Sequence, residues 1–494
     1  MHVESLARKH DRTAIRSALK LLPTQLDDIY HEALERINRQ NSDDVLLAER
    51  VLYWISFARR TLKVKEIQCA IAVQNLESDE TRIDDEGIPD EDLLVAVCAG
   101  LVTIDKENRV IRLVHYTAQQ YFERIRETKF PQAQVLITEA CLRYLSLDSL
   151  KNDVCFTPSK IELLMEMHPL LEYAARCWGY HAVGRPEQLL KDRILEFLAE
   201  NSRVTNSIQV MMHQYYLFSD LGIAPGENRL WLAAAFGLKE IIKVLLEKGV
   251  EIEPRGVKRA TALNIAATQG HTAVVQVLLE HDANIETKGV HGETALHNAA
   301  EYGHEAIVQL LLDKGADIDI KDDNGQTALF KAAEGGQLAI VRLLLQHGAD
   351  VQSEYFDDCS PIEAALWAAH YEIFKLLLKS TVNTATMHRY ATRALFTAAS
   401  HGPSIMSSST FQVLLDQCRE GGIPEEVFES AVRMHNGSPA QVTCDNCSAS
   451  ILNTDVHFHC DICNYGDFDL CERCVRNGKH CFSQSHQLGS FKLA

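Results

Sequence analysis

The chain has 494 residues, enough for roughly two to four domains with buried cores. Of its charged residues, 49 are basic and 68 acidic, so the net charge of -19 offers no basic footprint to nucleic acid. No uncharged apolar run reaches the roughly eighteen residues of a membrane helix, and MHVESLARKHDR lacks a signal-peptide core, so a cytoplasmic protein is expected.

Residues 1–130 read as helices closed by a hairpin. Leu26, Ile29, Tyr30, Ala33, Leu34 and Ile37 follow helical spacing. Asp79–Asp92 is strongly acidic and reads as an exposed loop, and a further helix is expected over 91–100. Leu101–Asp105 and Val110–His115 flank the polar turn Lys106-Glu107-Asn108, as strands of a β-hairpin do. Thr117 with Gln120 predicts a capping-box start for the helix holding Tyr121 and Phe122. Helices plus a terminal hairpin make a winged-helix shape. Such a fold often binds DNA, but 19 basic against 23 acidic residues in this region argue against it. A helical connector is expected over residues 131–225.

The middle of the chain repeats. Thr261-Ala262-Leu263, Thr294-Ala295-Leu296 and Thr327-Ala328-Leu329 recur at steps of 33, which also reach Ser360-Pro361-Ile362, Arg393-Ala394-Leu395 and, backwards, Asn228-Arg229-Leu230. Alanines follow, then a glycine (Gly237, Gly270, Gly303, Gly336, Gly402), then an apolar run such as Ile307–Leu312. Threonine caps a first helix, alanines allow close approach, and glycine ends the helix in a left-handed conformation. One unit cannot bury its leucines alone, so neighbours must stack. The period and the T-A-L-H-x-A-A pattern resemble the ankyrin repeat, giving six repeats over residues 226–420. The sixth, around Leu395, carries extra residues in Gly402–Thr410 before Leu414-Leu415 and reads as a distorted capping repeat. On such arrays partners meet the concave face, where Phe236, Gln269, Glu301, Tyr302 and Glu334 are the candidates; Trp367 reads as packing on its neighbour.

A linker over 421–440 leads to a cysteine-rich tail, 441–494. Seven of the 14 cysteines lie between Cys444 and Cys481, and the rest are scattered as core residues are. The tail runs Cys444-x2-Cys447, twelve residues, Cys460-x2-Cys463, seven residues, Cys471-x2-Cys474, then His480 and His486. Eight such ligands make two tetrahedral zinc sites. A domain this small lacks a sufficient core, and structural zinc supplies roughly 10–16 kcal/mol per site. A disulfide scaffold does not suit a cytoplasmic chain.

The ligand order resembles the ZZ-type zinc finger. That family cross-braces its sites, which implies Cys444, Cys447, Cys471 and Cys474 on one zinc and Cys460, Cys463, His480 and His486 on the other. Cys481, beside His480, is an alternative ligand; the histidine is favoured. ZZ fingers that hold a peptide's free N-terminus use aspartates, and the matching positions are Asp445, Asp467 and Asp469. A protonated amine suits a carboxylate cluster. The same aspartates would otherwise cap turns or orient ligands.

Upstream, LPTQLDDIYHEALERI, RVLYWISFARRTLKVKEIQCAI and CAGLVTIDKENRVIRLVHYTAQQYFE resemble the region following the NACHT ATPase domain of fungal NLR-like proteins. LLEYAARCWGYHA, at 170–182, resembles the helical segment that comes next. The likeness implies a winged helix that packs on a nucleotide domain, with ankyrin repeats after it. No G-x-x-x-x-G-K-[ST] occurs, so no nucleotide is expected to bind this chain. The first residues look like the end of a NACHT module, from a shortened member or from a start placed too far downstream. His115 matches a nucleotide-sensing histidine of that family; without a P-loop it reads as a packing or hydrogen-bonding residue.

Neither G-x-S-x-G nor H-E-x-x-H occurs. The expectation is a mainly α, non-enzymatic interaction protein: winged-helix-like region, ankyrin solenoid and zinc finger, recognising proteins or peptide N-termini. Two alternatives stand beside it. One is a fragment of a signalling STAND NTPase; the other is a ubiquitin-pathway adaptor or ligase, against which the two final histidines argue because a RING places a histidine between cysteine pairs.

Overall fold

A computed structural model of the chain describes residues 26–77, 80–151, 157–213, 228–253, 260–289, 291–352, 360–368 and 370–380, together with the strand backbones at 442–443, 450–451, 456–460, 468–471 and 489–492. The chain divides into two compact units, Met1–Ala262 and Leu263–Ala494.

The first unit opens with α1 (Leu26–Asn38), which buries the expected Tyr30, Ala33, Leu34 and Ile37. Next comes α2 (Ser42–Phe57), started by Asn41, whose Oδ1 accepts from the N–H groups of Asp43 (3.1 Å) and Asp44 (2.9 Å). A two-residue strand, β1 (Leu62–Lys63), leads into α3 (Val64–Asn75). The Lys63 N–H there donates to Glu66 Oε2 (2.6 Å). The same buried carboxylate receives two Arg60 hydrogen bonds, 2.9 and 2.7 Å, so its charge is matched where water cannot reach it.

After α4 (Glu91–Ala96) come β2 (Val102–Asp105) and β3 (Val110–Leu113). The sheet order is β1-β3-β2, all antiparallel, with Val102 opposite Leu113 and Leu62 opposite Ile111. The hairpin turns without glycine: Asp105 Oδ1 accepts from Glu107 N (3.0 Å) and Asn108 N (3.3 Å), and Arg109 takes a left-handed φ of 54°. Of the acidic stretch, 80–90 is a mostly exposed loop with one 3-10 turn at Asp85–Gly87.

The following helix, α5 (Tyr116–Lys129), corrects one expectation. Its N-cap is His115, whose Nδ1 accepts from Thr117 N (3.3 Å), not Thr117 itself. The Thr117 hydroxyl is engaged elsewhere, by Tyr30 Oη (2.5 Å) and by His115 (2.8 Å).

The connector holds α6 (Ala133–Leu145), α7 (Pro158–Met167), α8 (Leu171–Ala182), α9 (Arg185–Leu189), α10 (Lys191–Ala199) and α11 (Asn201–Met212). It joins the winged-helix region through a buried polar chain. Arg59 N–H donates to Tyr173 Oη (3.1 Å), Tyr173 O–H to His181 Nε2 (2.8 Å), and His181 Nδ1–H to Gln134 Oε1 (2.6 Å). Every polar atom in that run has a partner, as burial requires.

The first helix pair of the repeats, α12 (Arg229–Phe236) and α13 (Lys239–Glu247), lies in this same unit. Leu238 cannot cap α13, and the connector's Glu187 accepts the Ile241 N–H (2.9 Å) in its stead. Phe236 packs edge-on against Trp178 and Tyr180, both at 5.1 Å, over the backbone of Gly179.

The second unit stacks helix pairs α14 (Ala262–Thr268) and α15 (Thr272–Glu280), α16 (Ala295–Tyr302) and α17 (Glu305–Asp313), α18 (Ala328–Glu334) and α19 (Leu338–Gln346), and α20 (Pro361–Trp367) and α21 (Tyr371–Ser380). Their alanines and leucines form the core between repeats: Ala299, Ala300, Ala332 and Ala333 are buried with Leu311 and Leu344. Thr327 Oγ1 accepts Phe330 N (3.3 Å), as a cap does. The glycines Gly270, Gly303 and Gly336 are left-handed, at φ 78°, 85° and 75°.

Those glycines serve a second purpose. The residues just after Gly303 and Gly336, and His370 one period further on, form a ladder between repeats: His304 Nε2–H donates to Thr268 O (2.9 Å), Gln337 Nε2–H to Glu301 O (3.3 Å), and His370 Nε2–H to Glu334 O (3.1 Å). A Cβ at Gly270 would stand 2.6 Å from His304 Cε1. Gly270→Ala is therefore expected to cost about 1–3 kcal/mol in urea unfolding, of which about 1 is the left-handed backbone. In a His304→Ala background the remainder should vanish.

At the hairpins a second ladder runs. Glu286 Oε1 accepts from Asp317 N (2.7 Å) and Asp319 Oδ1 from Asp350 N (2.9 Å), pairs displaced by one period. Among the described residues no helix is long and apolar enough to cross a membrane. The expected sixth repeat around Leu395, Leu414-Leu415 and the linker lie outside the described residues.

In the tail, β4 (Val442–Thr443) pairs with β5 (Ser450–Ile451), and β6 (Val456–Cys460) lies between β7 (Phe468–Cys471) and β8 (Gly489–Lys492), antiparallel throughout.

Candidate functional site

The array exposes a periodic row at the C-terminal ends of its first helices. Gln269 and Tyr302 are exposed at positions one period apart, and half-buried Glu301 and exposed Glu334 are a second pair at that spacing. Tyr302 is 55% exposed, a large aromatic surface among carboxylates. The main chain beneath is held firmly, because Glu301 O and Glu334 O are acceptors of the ladder described above.

Phe236 corrects the sequence reading. It occupies the same repeat position as Gln269 and Tyr302 yet is 0% exposed, so it cannot face a partner. The connector helix α8 covers it, with Trp178 and Tyr180 gripping the ring. Trp367 ends α20, and its side chain lies outside the described residues.

Lys331 stands between two carboxylates, 3.7 Å from Glu301 Oε2 and 3.8 Å from Asp322 Oδ2. Asp322 is buried, and its Oδ1 accepts from Asn324 N (2.9 Å) and Gln326 N (2.8 Å), which closes the hairpin turn. His297 ties helix to hairpin as well. Its Nδ1 accepts Thr294 N–H (3.2 Å) and its Nε2–H donates to Gln326 O (3.0 Å), which sets the tautomer. Burial lowers its pKa, so it stays neutral while holding both bonds. In the last described repeat Glu363 takes over this place, accepting Ser360 N (2.8 Å).

Residues 263–380 carry 18 acidic against 7 basic side chains. The array is thus a rigid, negatively charged surface with an aromatic at its middle. The residues that sequence reasoning overlooked here are His304, Gln337 and His370. Their signal was a polar side chain recurring every 33 residues, just after the helix glycine at His304 and Gln337 and after Ala369 at His370.

His115 is exposed on the surface, caps α5 and stacks on Tyr116 with ring centroids 4.4 Å apart. The hydrogen-bonding part of its expected role is what the structure contains.

Of the tail residues, Cys444, Cys447, Cys463, Cys474, His480, Cys481, His486, Asp445 and Asp467 lie outside the described residues. Cys460, Cys471 and Asp469 are placed by strand backbone alone: Cys460 opposite Phe468, Cys471 opposite His457, and Asp469 opposite His459.

Comparison with protein families agrees with this architecture. The family model for ankyrin repeats matches residues 230–322 and 317–388. That for the winged helix domain of GPI inositol-deacylase matches residues 36–128. No curated protein matches the chain.

Proposed function

We propose that an ankyrin array and a winged-helix domain on one chain make a non-enzymatic scaffold that binds protein partners in the cytoplasm. The exposure of Tyr302 between Glu301 and Glu334, on a main chain locked by the repeat ladder, carries the reading. Aromatics in such settings are the side chains on which interfaces depend most.

The tail adds a second reading head. It is a ZZ-type finger with two zinc ions, one on Cys444, Cys447, Cys471 and Cys474, the other on Cys460, Cys463, His480 and His486. The strand register supports separate sites, because the Cys460 and Cys471 positions fall on alternate faces of the β6–β7 ladder. Asp445, Asp467 and Asp469 would hold the free amine of a peptide N-terminus. The winged-helix match favours a place in NLR-like signalling, with this chain as a relative or portion of a STAND NTPase.

Affinity capture with mass spectrometry tests both surfaces on the full chain. Tyr302→Ala/Glu334→Lys is expected to lose one set of partners and Asp445→Ala/Asp467→Ala another. Interactomes identical to that of the parent protein would refute the corresponding surface. Metal analysis is expected to return two zinc ions per chain; one ion would mean that the cross-braced ligand assignment is wrong.

A further inference from the structure

A groove of about 940 Å3 runs between the winged-helix region and the connector. Its floor is apolar, formed by buried Cys69, Tyr144 and Leu147. Met167, 58% exposed, stands at one side, and Leu163, 54% exposed, lies one turn earlier on α7. Two large apolar side chains four residues apart on a helix share a face, so the apolar surface continues out of the groove.

The walls are cationic. Lys65 and Arg82 line the groove and are exposed, and among the described residues neither has an ion-pair or hydrogen-bond partner. The third cation there, Lys151, is matched by Asp148 at 2.6 Å. Asp148 also accepts from the Thr81 hydroxyl (2.7 Å), and it is the one carboxylate on the groove lining. The lining thus carries three cations, Lys65, Arg82 and Lys151, against the single carboxylate of Asp148, over an apolar floor and in a chain of net charge -19.

We infer that the groove is a docking site for a partner's peptide segment in which carboxylates flank bulky apolar side chains. The apolar side chains enter over Tyr144 and Leu147 and continue along Met167 and Leu163. The carboxylates meet Lys65 and Arg82. A nucleic acid would satisfy the cations but has no aliphatic body for the floor, so the peptide fits better. The volume lies within the usual range for ligand sites, roughly 300–1,000 Å3. This surface is separate from the array, and its occupancy does not depend on Tyr302.

Selection of a random twelve-residue peptide display library on the immobilised full chain provides the probes. Enriched peptides are expected to carry a surplus of Asp and Glu beside Leu, Ile or Phe. Their affinity, read by fluorescence polarisation, should fall about tenfold or more in Lys65→Glu/Arg82→Glu and weaken with added salt. Met167→Ser should weaken them as well, and Tyr302→Ala should not. All these side chains are exposed, so thermal melting should match the parent chain. The inference is overturned by failure to enrich such peptides, by enriched peptides indifferent to both groove variants, or by a single-stranded oligonucleotide binding more tightly through Lys65 and Arg82.

Discussion

Gly179→Ala is expected to destabilise the first unit by about 2–4 kcal/mol, although alanine is the better helix former by about 1. The added Cβ would stand 2.0 Å from Cγ and 2.2 Å from Cδ2 of Phe236. The ring cannot retreat, because Trp178 on one side is itself packed edge-on to Phe197 at 5.4 Å, and Tyr180 holds the other. Phe236→Ala alone should cost about 3–5 kcal/mol through the cavity it leaves. In that background the sign of Gly179→Ala should reverse, since the clash is gone and only helix propensity remains. Urea unfolding of the four proteins measures the cycle. An equal penalty in both backgrounds would show that Phe236 is not what the glycine accommodates.

Acid should loosen the same unit at His181. Burial first, and the Arg59 charge second, lower its pKa to about 4. Unfolded histidine titrates near 6.5, so between those values the unfolded chain binds the additional proton and the folded chain refuses it. The contribution is complete at neutral pH and is lost as the pH falls from about 6.5 to 4, by about 3 kcal/mol in all. Protonation also forces an N–H onto Nε2, where the Tyr173 hydroxyl now donates. His181→Gln should be less stable at pH 7 and show a shallower decline toward pH 4.5. Parallel declines in the two proteins would mean that other groups govern the acid response. Tyr173 does not interfere, because burial keeps its hydroxyl protonated throughout.

Much of the architecture was legible because it is written in periods. The 3.6-residue spacing placed α1, and the 33-residue step located the repeats, their threonine caps and their left-handed glycines. Short-range turn chemistry found the β2–β3 hairpin, but β1 has two residues and exists only because β3 offers an edge to Leu62 and Lys63. The sequence points to Thr117 as the cap of α5 because it has the better capping side chain; His115 caps instead, and the Thr117 hydroxyl is engaged by Tyr30, 87 residues away. Phe236 failed for a related reason. Its period equivalents are exposed, but its own neighbour is the connector, which no periodicity announces. One clue was present: glycine inside LLEYAARCWGYHA is costly in a helix unless another group comes close to the backbone.

The carbonyl ladder of the array carries a consequence for how the protein can change length. His304 and Gln337 each reach back 36 residues, and Glu286 and Asp319 each reach forward 31, so both sets of bonds return to phase after 33. Removing residues 304–336 would set Gln337 where His304 had been, facing Thr268 O, and bring Asp350 N–H to Glu286. A cut of 30 or 36 residues would leave both acceptors orphaned and turn the leucine face away from its neighbour. Such an array is quantised: whole modules can be lost or gained with their junctions intact, and fractional ones cannot.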